Sequence, residues 1–60
     1  MNSMENLMIP DNFNYEKVTA ISIEARQKLQ TIRPHTLGQA SRISGVNPSD
    51  IQILMIYMGR

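Results

Sequence analysis

Asn47-Pro48-Ser49-Asp50 followed by Ile51-Gln52-Ile53-Leu54-Met55-Ile56-Tyr57-Met58 constrains this chain more than any other stretch. Its opening predicts a helix start. Asn suits the N-cap, Pro suits the first helical position where its missing N–H costs nothing, and Asp50 faces the positive helix end. The helix body after Asp50 is apolar on almost every side. At about 100° per residue, Ile51, Leu54, Met55 and Met58 form one stripe, while Ile53, Ile56 and Tyr57 occupy much of the opposite face. A helix apolar all round is usually buried all round. The chain has 60 residues, and a domain of that size buries only about 60% of the surface its unfolded form exposes. Two other short helices cover one face of this helix, not both. The face of Ile53, Ile56 and Tyr57 is therefore assigned to contact with a twin chain, with the rest of a longer protein, or with a partner.

Length also excludes a second domain, a doubly wound sheet, a barrel and an enclosed cofactor cavity. With no Cys and a single His, disulfide staples and a structural zinc drop out. The start, Met1-Asn2-Ser3-Met4, has neither the basic nor the apolar part of a signal peptide. The longest apolar run, Ile53 to Met58, falls far below the roughly 20 residues needed to cross a bilayer. No membrane association and a cytoplasmic setting are expected.

Punctuation sets the other elements. Residues 1–8 read as a disordered lead-in or an expression scar, and residues 9–60 as a single helical domain. Ile9-Pro10-Asp11-Asn12-Phe13-Asn14 is an extended approach, after which Asn14 caps a short turn near 15–19. Ser22 caps a helix over about 22–33, with Ile21, Ala25, Leu29 and Ile32 as its apolar stripe and Glu24–Lys28 as an i,i+4 pair. Pro34 ends it by disfavouring the helical region at Arg33. Thr36-Leu37-Gly38-Gln39 fits a capping box and opens a helix over about 36–44. Gly45 takes the left-handed position that closes it, with Val46 as apolar clasp. The third helix covers 48–58. The fold class is all-α, a small bundle of three main helices with a helix-turn-helix-like second half.

Charge is unevenly laid out. Residues 1–16 carry Glu5, Asp11 and Glu16 and no base, whereas residues 17–42 carry Lys17, Arg26, Lys28, Arg33 and Arg42 against Glu24 alone. Arg26, Gln30 and Arg33 form a polar ridge beside the apolar stripe of the first helix, and a short loop could bring Arg42 to the same side. Long cations on a ridge suit phosphate positioning rather than base readout. Tyr15 and Tyr57 lie outside the basic block, so a nucleic acid would be held by backbone and shape, a mode that fits helical RNA.

Two other function classes compete with that reading. A free-standing helix-turn-helix DNA binder needs base-reading side chains along its last helix, and only Gln52 offers one. A dimerisation module would leave the basic block solvated. Catalysis lacks a constellation: His35 is the sole imidazole, lies in a loop beside Pro34, and has no reason to meet Ser41, Ser44 or Ser49. Nucleotide-binding Gly motifs are missing.

Ile9-Pro10-Asp11-Asn12-Phe13-Asn14-Tyr15, Ser22-Ile23-Glu24-Ala25-Arg26-Gln27-Lys28-Leu29 and the ungapped run from Arg33 to Pro48 resemble the C-terminal helical domain of the glucose-inhibited division protein A (MnmG/GidA) family. The resemblance spans about Ile9 to Tyr57. Asn14 stands where the family often has Asp, Ala20 where Gly is common, and Gly59-Arg60 replaces a Lys-rich end. The resemblance implies a parent enzyme dependent on FAD and NADH. With a partner GTPase, that enzyme installs carboxymethylaminomethyl at the wobble uridine of tRNA. It implies that this chain contributes tRNA and partner binding, holds no cofactor, and performs no catalysis. Arg26, Arg33 and Arg42 match basic positions of the family pattern and are the expected tRNA phosphate contacts. Gly38 and Gln39 match its Leu-Gly-Gln-Ala core and are expected at close helix packing or RNA backbone approach. The face of Ile53, Ile56 and Tyr57 is the expected protein contact, either with the GTPase or in a homodimer.

Overall fold

The computed structural model describes residues 6–59; residues 1–5 of the expected lead-in and Arg60 lie outside them. A 3-10 turn at Tyr15–Lys17 is followed by α1 (Ile23–Ile32), α2 (Leu37–Ser41) and α3 (Pro48–Met58). The all-α expectation holds, with one isolated antiparallel bridge between Met8 and Thr36. Around that bridge the Leu37 N–H donates to the Leu7 carbonyl at 3.0 Å and the Ile9 N–H to the His35 carbonyl at 2.7 Å. Leu7 and Met8, which the sequence assigns to the lead-in, are thus laid against the α1–α2 connection.

The caps explain why the elements start where they do. Asn14 Oδ1 accepts from the Glu16 N–H at 3.0 Å and Ser22 Oγ from the Ala25 N–H at 3.1 Å. Thr36 Oγ1 accepts from the Gln39 N–H at 3.1 Å. A cap of this kind contributes about 1 kcal/mol. The Gln39 side chain reaches back one residue further than the usual box, accepting from the His35 N–H at 2.9 Å. The Thr36 position is instead paired with Met8, so the cap and the bridge share the connection between them. At α3, Asp50 Oδ2 accepts from the Asn47 N–H at 2.9 Å, which accounts for a carboxylate that is 4% exposed.

Two boundaries differ from expectation. α2 ends at Ser41 rather than Ser44, because the next N–H groups bond three residues back: Arg42 to Gln39 and Ile43 to Ala40, each at 3.1 Å. Gly45 does take a left-handed conformation (φ +99°), but it closes this turn rather than the helix itself. At the end of α1, Arg33 is also left-handed (φ +54°), its N–H donating to the Leu29 carbonyl at 2.9 Å. A residue before proline ordinarily lies in the extended region, and a side chain in the left-handed one costs roughly 1–2 kcal/mol.

Ile9, Tyr15, Val18, Ile21, Ala25, Leu29, Leu37, Ala40, Val46, Ile51 and Leu54 make one buried cluster. The 3-10 turn packs on α1 and α2 packs on α3. Ile32 departs from the expected stripe at 52% exposed, although Leu29 in the same turn is fully buried. No helix among the described residues is long and apolar enough to cross a membrane.

Candidate functional site

The three arginines expected on one ridge sit in three different settings. Arg26 is half-buried on the side of α1 and borders a polar groove of about 450 Å³ with Glu16, Thr19, Gln27 and Gln30. Arg42 caps the C-terminal end of α2, and one of its contacts is a donation to the Gly38 carbonyl at 3.4 Å. Arg33 is the most tightly specified. Its Nη1 donates to the Phe13 carbonyl at 2.8 Å, and its guanidinium carbon lies 5.2 Å from the centre of the Tyr15 ring. Phe13 in turn meets Tyr15 edge-on, with ring centres 4.9 Å apart. The left-handed turn at Arg33 is what aims its side chain back at the approach segment.

Sequence reasoning misses this corner. Tyr15 stands outside the basic block in chain order, but not in space. The bridge at Met8 and Thr36 folds the approach segment back along the α1–α2 connection, which sets Tyr15 beneath Arg33. The two Pro-containing segments, Pro10-Asp11 and Pro34-His35, are the available signal, as both line the same cleft. Burial pushes the Tyr15 hydroxyl above its ordinary value of 10.0, and the nearby Arg33 charge offsets part of that rise. The hydroxyl is sealed from solvent and makes no well-formed hydrogen bond among the described residues, Arg33 coming close enough only to offset part of the rise.

Gly38 and Gln39 serve the fold as well. Gly38 is buried, and its carbonyl accepts from Ser41 Oγ at 2.7 Å as well as from Arg42. Gln39 is exposed and committed to the cap. Lys28, which is not among the expected contacts, donates to the Ser44 carbonyl at 3.0 Å while lying 4.0 Å from Glu24. It thereby ties the α2–α3 connection to α1. Both side chains are well exposed, so the ion pair itself contributes only a few tenths of a kcal/mol.

Along α3 the expected contact face divides. Ile53 and Tyr57 are half-buried against the core, whereas Ile56 is 61% exposed. The open apolar surface lies to one side of that face. It is a groove of about 660 Å³ formed by Ser41, Pro48, Ile51, Gln52, Met55 and Ile56.

The comparisons with known proteins agree with this architecture. Residues 1–60 match the family described as tRNA modifying enzyme MnmG/GidA C-terminal helical bundle. The tRNA uridine 5-carboxymethylaminomethyl modification enzyme MnmG of Cytophaga hutchinsonii is 62% identical over 60 residues, all of this chain and 10% of that protein. The corresponding protein of Christiangramia forsetii is 52% identical over the same span, again 10% of its length. A crystal structure of Aquifex aeolicus GidA superposes with a TM-score of 0.88 at 42% identity, covering 95% of this chain and 9% of that one. The chain thus spans about a tenth of the length of the relatives it matches. By sequence over its whole length and by fold, the chain belongs to the MnmG/GidA C-terminal helical bundle family.

Proposed function

We propose that this chain is the tRNA- and partner-binding C-terminal piece of a cytoplasmic tRNA-modifying enzyme. The parent uses FAD and NADH and, with a partner GTPase, installs carboxymethylaminomethyl at the wobble uridine. The observation that carries the reading is the family match over residues 1–60. Arg26 beside its polar groove, Arg42 and the exposed Arg33 supply the cations for phosphate contact. Partner or self-association belongs to Ile56 and the groove it borders, with Ile53 and Tyr57 supporting it from the core side.

The dinucleotide cofactors do not fit these residues. A flavin or nicotinamide pyrophosphate is held by a glycine-rich turn between a strand and a helix N-terminus. Here α1 is entered through Thr19-Ala20-Ile21-Ser22 without glycine, and the start of α3 presents the Asp50 carboxylate. Under this reading both cofactors and the chemistry reside in the remainder of the parent.

Binding of tRNA to the chain, measured across a salt series, tests the proposal. Affinity is expected to fall as salt rises, and Arg26→Ala or Arg42→Ala to lower it further. Salt-independent binding, or binding indifferent to both substitutions, overturns it. Ile56→Asp is expected to abolish association with the GTPase or with a second copy while leaving tRNA affinity within about twofold, because it removes only exposed apolar surface.

A further inference from the structure

We infer that the cleft beside Arg33 is a subsite for one unpaired guanine base of an RNA strand, an assignment that rests on the RNA-binding reading above. The cleft measures about 230 Å³ and is lined by Pro10, Asp11, Tyr15, Arg33, Pro34 and His35. Pockets for drug-sized ligands run to roughly 300–1,000 Å³, so this one suits a single planar ring system.

The Arg33 guanidinium is set in place before any ligand arrives. The Phe13 carbonyl takes a donor at 2.8 Å, the Tyr15 ring lies 5.2 Å away, and the backbone is locked at φ +54°. Even so, the residue is exposed. A guanidinium has several N–H donors, and the Phe13 carbonyl occupies one of them. Unpaired RNA bases stack on aromatic rings and on guanidinium planes, and are then read by hydrogen bonds along their edges. Because Arg33 is already ordered, a base stacking there avoids much of the side-chain ordering cost of binding.

The mixed signs of the lining choose the ligand. Asp11, which brings a carboxylate, lines the same cleft as Arg33 and His35. A phosphate alone is repelled by that carboxylate. A base presenting both donors and acceptors is not. Guanine offers adjacent N1–H and N2–H donors that one carboxylate accepts together, and O6 and N7 acceptors for the N–H groups of Arg33 or His35. Adenine has no N–H at N1 and loses the carboxylate pair. Pro10 and Pro34 provide rigid apolar walls against the ring.

The test titrates two short single-stranded RNAs, identical except for a central guanine or adenine, into the chain, with guanosine monophosphate as a third arm. Amide shifts are followed by NMR. The guanine strand is expected to bind about tenfold tighter than the adenine strand, the discrimination typical of one good bidentate base contact. Its shifts are expected to centre on Asp11, Tyr15, Arg33 and His35, and Asp11→Asn is expected to erase the preference. Asp11 lies in an exposed turn, so that variant keeps the fold. Equal affinity for both strands, shifts centred elsewhere, or the free mononucleotide binding as tightly as the strand would each overturn the subsite. Intact tRNA separates the two claims. If tRNA binds and Asp11→Asn leaves its affinity unchanged, the cleft assignment falls and the proposed function stands. If tRNA fails to bind while the strand preference persists, the reverse holds.

Discussion

At the end of α1, a guanidinium, a backbone carbonyl and two aromatic rings hold the approach segment to the helix. Along α3, apolar side chains do nearly everything: Ile51 and Leu54 are buried, Ile53, Met55, Tyr57 and Met58 lean on the core, and Ile56 stands out. The first region is specified by direction and the second by amount. A directional corner fixes one geometry and can offer prearranged polar groups to a ligand. An apolar face tolerates many partners of similar shape, and its surplus is what a second protein surface covers. The two binding roles proposed for this chain fall on the two kinds of construction.

The sharpest way to break that contrast is to cut the same kind of side chain from the buried and open sides of α3. Leu54 is fully buried, and Leu54→Ala is expected to cost about 2–5 kcal/mol. A chain of this length commands only about 3–9 kcal/mol in total, so the variant is expected to be largely unfolded at 37 °C. Ile56→Ala, on the open side, is expected to stay within about 0.5 kcal/mol of the parent. Urea unfolding of both variants checks the pair. Similar losses would mean that Ile56 is part of the core in solution.

Legibility in the sequence divides along the same line. Caps and apolar spacing are local, so Ser22, Thr36 and the Asn47–Asp50 start announce α1, α2 and α3. The end of α2 is not legible, because Arg42 and Ile43 keep helix-like spacing while their N–H groups switch to bonds three residues back. The Arg33 corner depends on a contact twenty residues apart in the chain, closed by a bridge that no local pattern predicts. Charge counting recognises Arg33 as a cation. It cannot show that Tyr15 lies beneath it, nor that Lys28 is spent on the Ser44 carbonyl. The surplus of α3 is visible from composition, but its position, shifted toward Met55 and Pro48, needs the packing of α2.

Gly45 probes the other directional tie, where the α2–α3 connection meets α1. A Cβ there would lie 2.8 Å from Glu24 Oε2, the far end of a flexible side chain that can swing aside. The left-handed backbone cannot be relieved so easily. Gly45→Ala is therefore expected to cost about 1–2 kcal/mol from φ alone, and Glu24→Ala in the same chain to recover little of it. Recovery of the full loss in thermal melts would assign the effect to the clash instead.

Arg33→Gly sharpens the contrast, because it separates shape from chemistry at the corner. Glycine relieves the left-handed backbone by about 1–2 kcal/mol, while losing the ring contact and the bond to the Phe13 carbonyl together costs about 1–2.5 kcal/mol. Stability is expected to change little, and tRNA affinity to fall about tenfold if the guanidinium stacks on or pairs with RNA. A stable variant with undiminished tRNA binding would reduce Arg33 to a clamp.

The smallest expected effect concerns the Tyr15 hydroxyl, which makes no well-formed hydrogen bond among the described residues. A buried hydroxyl without a hydrogen bond is a cost, so Tyr15→Phe is expected to be neutral or to stabilise by up to about 1 kcal/mol at pH 7. The alkaline limb gives the second readout. Burial raises the Tyr15 value above 10.0, so the folded state holds its phenolic proton when the unfolded chain has begun to release its own. That contribution is complete below pH 10 and is lost as pH rises from there through the folded value. The parent is therefore expected to lose stability above about pH 10 faster than Tyr15→Phe, the subtraction removing the lysines common to both. Parallel losses, or a marked destabilisation of Tyr15→Phe at pH 7, would mean that the hydroxyl has a partner in solution and that the corner is satisfied without a ligand.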